Sequence, residues 1–158
     1  MRLTAGLYGL SNAGLDVLWP KVANLKTQLR SLLDEASDLE SMVTGLFNAL
    51  GDRSVAADDS LPCGIPLVWE RQLSAAFIRT PDELYGTRCS TVVITEHVEA
   101  KFITQVFERS FDAHGELAVV RTALLENWPP RPGDGGLVEV VERLALPRSP
   151  RRGALRKH

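Results

Sequence analysis

Residues 20 to 50 carry the pattern that most restricts what this chain can become. Pro20 is followed by Val22, Leu25, Leu29, Leu32 and Leu33, apolar at steps of three and four. That spacing predicts an amphipathic helix of about 14 residues. The proline suits its first turn, where a missing N–H costs nothing. Leu39, Met42, Val43, Leu46, Phe47 and Leu50 repeat the step and predict a second helix. Ser37 and Glu40 read as its capping box and Gly51 as its close. A chain with two such stripes in succession has to bury both.

The remaining segments read differently. Residues 3 to 10 read as a strand or turn-strand ending at Ser11-Asn12. Residues 51 to 66 hold Gly51, Pro62, Gly64 and Pro66 and read as a loop. A short helix is predicted from Pro66 to about Ser74, and a strand over Ala76 to Arg79. Ser-Thr-Val-Val-Ile-Thr, within residues 85 to 95, is β-branched and predicts a strand, with FITQVFERSF (102 to 111) as its hairpin partner and EHVEA as the connection. GELAVVRTALLEN reads as a short helix, ENWPPRPGDGG as a Pro/Gly-rich linker and LVEVVERLAL as one more short amphipathic piece. The fold class is therefore α+β. The predicted domain is residues 1 to 116, with 117 to 158 as an atypical Pro/Gly/Arg-rich tail containing short helices and partly disordered.

Charge and cysteine usage restrict the partners. The 158 residues sum to −2 at neutral pH, so the whole chain has no strong electrostatic preference. The terminal RSPRRGALRKH carries five of the 18 Lys and Arg residues and no acid. It has no interleaved aromatics and no folded motif, which argues against nucleic acid and for a solvated end. No apolar stretch approaches the length of about 18 residues that a membrane span requires. Cys63 and Cys89 lie far apart and outside any CxxC pair, which fits a reducing compartment, the cytoplasm.

Few residues point to chemistry. His97, His114 and His158 fall in turn or tail contexts without metal-ligand spacing, so neither a metal nor a cofactor is predicted. Cys63 has no nearby histidine and no helix start of its own to lower its pKa, and Cys89 opens an apolar strand. Two stretches stand out. YGLSN places Asn12 behind the Tyr8-Gly9 turn and Ser11, and YGTRCST places Arg88 behind the Tyr85-Gly86 turn and Thr87. Arg88 has the chemistry to clamp a carboxylate, and Asn12 to donate to an oxyanion. Spacing alone leaves the plainer alternative open, in which Asn12 satisfies its own turn and Arg88 pairs with a surface acid.

Three stretches occur in order. YGLSNAGLDVLWPKV, LPCGIPLVWERQLSAAFIRTPDELYGTRCSTVV and VFERSFDAHGE, over about residues 5 to 115, resemble the C-terminal half of the NRDE family, also called the transport and Golgi organisation family. The resemblance implies an N-terminal-nucleophile-hydrolase-like fold, a four-layer αββα sandwich of which this chain is the C-terminal part. It implies amide-bond hydrolysis by a cysteine directly after the initiator methionine, activated by the chain's own amine. Here Met1 is followed by Arg2, so the chain is read as a fragment (a truncated gene, a mis-called start or a split protein) that is inactive alone. No catalytic residue is then expected in it.

By the same analogy Asn12 is the oxyanion-hole amide and Arg88 the active-site arginine, at the same rim of one sheet. The family equally implies a binding or trafficking module in Golgi organisation or secretion, with an amide, lipid or haem ligand. The missing N-terminal half is a further implied partner. The sequence departs from the family pattern at Cys63, where an acid is usual, at EHVEA, where an Asp-Gly turn is expected, and beyond Leu117.

Overall fold

The structure, a computed structural model of the chain, describes residues 3–11, 14–99, 101–126, 128 and 138–144. A two-residue hairpin, β1 (Leu10–Ser11) against β2 (Gly14–Leu15), precedes two helices, α1 (Pro20–Glu35) and α2 (Leu39–Leu50). A loop with one 3₁₀ turn at Asp58–Ser60 leads to a third helix, α3 (Leu67–Leu73). Four strands follow: β3 (Cys89–Val98), β4 (Lys101–Phe111), β5 (Leu117–Glu126) and β6 (Val138–Leu144). They form one antiparallel sheet in chain order. The chain is thus mixed α and β, with three α-helices and two antiparallel sheets among the described residues.

Proline opens α1 as predicted, with Trp19 extended before it. The cap of α2 falls one residue later than Ser37. Asp38 accepts the Ser41 N–H at 2.7 Å, and Ser41 Oγ accepts the Asp38 N–H at 3.2 Å. A carboxylate at this end also meets the helix's positive pole, which a Ser37 hydroxyl would not exploit. The Ser41 backbone bond holds the Asp38 carboxyl below its usual range.

Five further expectations change. Residues 3 to 10 are not one strand, since only Leu10 pairs, across to Leu15. Ala76 to Arg79 are not a strand either, apart from an isolated bridge from Arg79 to Gly86. Phe77 donates its N–H to Asp52 O at 2.8 Å instead, tying this segment to the end of α2. The β3–β4 ladder runs on through Val98 and Lys101, so Glu96, His97 and Val98 of EHVEA belong to β3 and not to the connection. GELAVVRTALLEN is extended, not helical: Leu117–Glu126 pairs along β4 and also with β6. The amphipathic piece near 138 is likewise a strand.

Helix α2 covers one face of the sheet. Ser90 and Val92 of β3 are buried on that face, as is Phe47 of α2, and the Arg109 guanidinium stacks on the Phe47 ring at 4.1 Å. Val22, Ala49, Ala75 and Phe77 complete the buried apolar set among the described residues. The rings of Phe77 and Phe111 meet edge to face at 4.8 Å, joining the irregular 74–80 segment to the end of β4. On the opposite face Val93 is 54 % and Phe102 46 % exposed. Thr104, directly opposite Thr95, is fully buried there with the two hydroxyls 2.9 Å apart.

A candidate anion-binding cleft

The Tyr85-Gly86 turn is held by Thr80. Its hydroxyl accepts the Tyr85 N–H at 3.1 Å and lies 3.0 Å from Tyr85 O, while its own N–H donates to the same carbonyl at 2.9 Å. Thr80 Oγ1 is also within hydrogen-bond distance of Asp82, whose carboxyl that bond holds below its ordinary range. One step along, the Ile78 N–H donates to Thr87 Oγ1 and the Thr87 N–H to Ile78 O, each at 2.9 Å. Residues 78–80 and 85–87 therefore form a closed loop. A Cβ on Gly86 would lie 3.1 Å from Ile78 O, so glycine keeps the two backbones close.

This loop and the Asp112–Gly115 turn between β4 and β5 enclose a cleft of about 200 Å³. Tyr85, Gly86, Thr87 and Arg88 all line it, together with Arg79, Glu83 and Asp112. Most of its charges are already engaged. Arg79 pairs with Glu83, and His114 Nδ1 lies 3.2 Å from the other Glu83 oxygen. The Arg79 hydrogen bond, ahead of the charges of Arg79 and His114, holds the Glu83 carboxyl below its ordinary value. Asp112 Oδ1 accepts the N–H groups of Glu116 at 2.9 Å and His114 at 2.8 Å, which lowers its pKa too. Arg88 is exposed at the cleft and, among the described residues, its guanidinium has no hydrogen-bond or ion-pair partner. The plainer alternative, a paired Arg88, is not what the described residues form.

The other singled-out stretch lies elsewhere. Asn12 is outside the described residues. Its neighbours Ser11 and Gly14 belong to the two-stranded hairpin, whereas Arg88 precedes the first strand of the four-stranded sheet. The two turns are thus carried by different sheets, not by one rim, and Tyr8, Gly9 and Ser11 do not line the Arg88 cleft. Tyr8 donates its hydroxyl to Thr4 O at 3.0 Å. Gly9 exchanges bonds with Asp16, donating to its carboxylate at 2.7 Å and accepting its N–H at 2.6 Å. Lys26, 2.7 Å away, and then Gly9 hold the Asp16 carboxyl low. A Cβ on Gly9 would sit 2.2 Å from Val22 Cγ1, so here too the Tyr-Gly glycine marks a close approach.

Sequence reasoning missed Thr80, Arg79, Glu83 and Asp112. Thr80-Pro81-Asp82 is a turn opener, and the spacing of Arg79 and Glu83 suits an ion pair, so both signals were present in the sequence. Cys63 and Cys89 are exposed, unpaired thiols. His97 stacks on Phe102 with centroids 5.0 Å apart, and His158 and the basic tail lie outside the described residues. Among the described residues no three His, Cys, Asp or Glu side chains are grouped to hold a metal ion, and no helix is long and apolar enough to cross a membrane.

A family model described as Transport and Golgi organisation 2 matches residues 1–113. No curated protein and no solved structure matches the chain.

Proposed function

The chain belongs to the Transport and Golgi organisation 2 family, the NRDE family under another name, and from that premise we propose that it is a binding module whose Arg88 cleft holds the oxyanion or carbonyl end of a small amide-type ligand. The observation that carries this reading is the unengaged Arg88 guanidinium beside a cleft whose Arg79, Glu83 and Asp112 side chains are already ion-paired or hydrogen-bonded. An arginine fork matches a carboxylate in two parallel hydrogen bonds, and none is already taken by a side chain of the described residues.

In this proposal the layered arrangement is part of an N-terminal-nucleophile-hydrolase-like αββα sandwich: α2 and the sheet supply one helical and one β layer. The exposed Val93 and Phe102 lie on the face where a second sheet would stack, and the partner that brings it is an N-terminal half. The chemical step would then need a nucleophile from that half, because among the described residues neither exposed thiol is hydrogen-bonded to a base. Two free thiols support a reducing compartment, and we place the protein in the cytoplasm.

Titration with N-acetylglycine, followed by amide chemical shifts, tests the reading. Saturable shifts at Tyr85 to Arg88, lost in Arg88→Gln, are expected, with no release of acetate. Absence of those shifts sinks the binding site. Hydrolysis abolished by alkylating Cys63 or Cys89 overturns the non-catalytic role.

A further inference from the structure

A second recess, of about 280 Å³, lies on the helix-covered face of the sheet, between the end of α2 and the Phe77–Phe111 pair. Two arginines line it. Arg109, on β4, lies with its guanidinium carbon 4.1 Å from the Phe47 ring centroid, and Arg53, just beyond α2, with its own 4.6 Å from that of Phe77. No carboxylate is among the lining residues. Arg53 spends one N–H on Gly115 O at 3.1 Å, leaving most of its five donors. Arg109 has no hydrogen-bond or ion-pair partner among the described residues, although burial pushes its pKa below the usual value.

A partly desolvated cation without a counter-charge is a costly arrangement in a folded chain, and ring stacking offsets only part of that cost. A bound anion would supply the missing counter-charge. The walls then restrict what carries it. Phe47, Phe77 and Phe111 make its lining aromatic, and Ser90, buried directly opposite Arg109 on β3, adds a hydroxyl. An apolar cavity of about 150 Å³ is enough to hold a benzene ring, so this recess has room for one ring and its charged group.

We propose that this recess is a binding site for an organic oxyanion, a carboxylate or phosphate ester bearing an aromatic or compact apolar body, with Arg109 and Arg53 on the oxyanion and the body against Phe47, Phe77 and Phe111. The site is separate from the Arg88 cleft and does not depend on its assignment.

Calorimetry on the full chain with benzoate, phenyl phosphate, inorganic phosphate and benzyl alcohol tests it. Saturable binding of benzoate or phenyl phosphate is expected, weaker at high salt, with benzyl alcohol, which lacks the charge-assisted contact, and inorganic phosphate, which lacks the apolar body, each binding at least about tenfold more weakly. Whichever of the two ring-bearing anions binds more tightly identifies the oxyanion class. Arg109→Met should weaken binding by about tenfold or more, as should Arg53→Gln, whose exposed side chain can change without unfolding the chain, while Arg88→Gln should leave it unaltered. Equal binding of benzyl alcohol, equal binding of inorganic phosphate, or no saturable binding of either ring-bearing anion overturns the proposal. So does unchanged affinity in Arg53→Gln and a folded Arg109→Met, which would leave the arginines with packing roles alone.

Discussion

At the scale of single residues, Thr80 governs the shape of the Arg88 cleft. It is 2 % exposed, and its hydroxyl has no water to fall back on. Thr80→Val keeps the volume but leaves the Tyr85 N–H without its partner, so a loss of about 1–3 kcal/mol is expected in denaturant unfolding, together with faster hydrogen exchange at Tyr85. Glu83 and Asp112 give the cleft a pH dependence. Both carboxyls titrate below their ordinary values of 4.5 and 3.8 because they are bonded in the folded chain. Such groups contribute stability that is present above the unfolded pKa and lost as pH falls through the folded one. The 80–87 loop should therefore stay closed at neutral pH and loosen below about pH 4, as amide exchange against pH would show; loosening already complete well above that range would overturn the expectation. The YGTR stretch made this region legible, since a Tyr-Gly turn with an arginine behind it is visible in the sequence. The Asp112–Gly115 turn on the cleft's other side was not, because it meets the 80–87 loop only once β4 has paired with β3.

At the scale of elements, the helices were easy to read and the last strands were not, for one physical reason. Helix α1 has a proline opening and a one-sided stripe, both local. Strand β5 lies between β4 and β6, and Val119, Ala123 and Leu125 alternate with Val120, Thr122 and Leu124, apolar on nearly both faces. Apolar residues on both faces remove the polar alternation that distinguishes a strand from a helix. This pairing bears on residues 117 to 158, which sequence texture set apart from the domain. Truncation after Glu116 should lower the melting temperature and broaden the transition, because β4 would lose its neighbour from Ile103 to Phe111 and become a sheet edge. An unaltered melt would mean that β5 and β6 add nothing to the core. The segment around the β1–β2 hairpin rests on α1 at Gly9 against Val22 and through the Asp16–Lys26 ion pair. Gly9→Ala would push a methyl into Val22, which is buried, so a loss of about 1–3 kcal/mol is expected in the same unfolding measurement.

At the scale of the whole molecule, apolar surface is abundant. Leu18 is 89 %, Leu84 86 % and Leu10 78 % exposed, alongside Val93 and Phe102 on the sheet. Such surface favours association, so the elution volume of the chain in size exclusion should fall as its concentration rises. A concentration-independent monomer with a sharp melt would show that the chain closes its own core. One segment described above has a further consequence. Phe111 lines the recess of Arg53 and Arg109, whereas Asp112 and Gly115, the next residues of the same turn, line the cleft of Arg88. Arg53 reaches across to grip Gly115 O. The turn is in effect a party wall, and a displacement that enlarges one chamber takes space from the other. Whatever free energy one occupant spends on moving that wall is returned, with the same sign and size, in the affinity of the other.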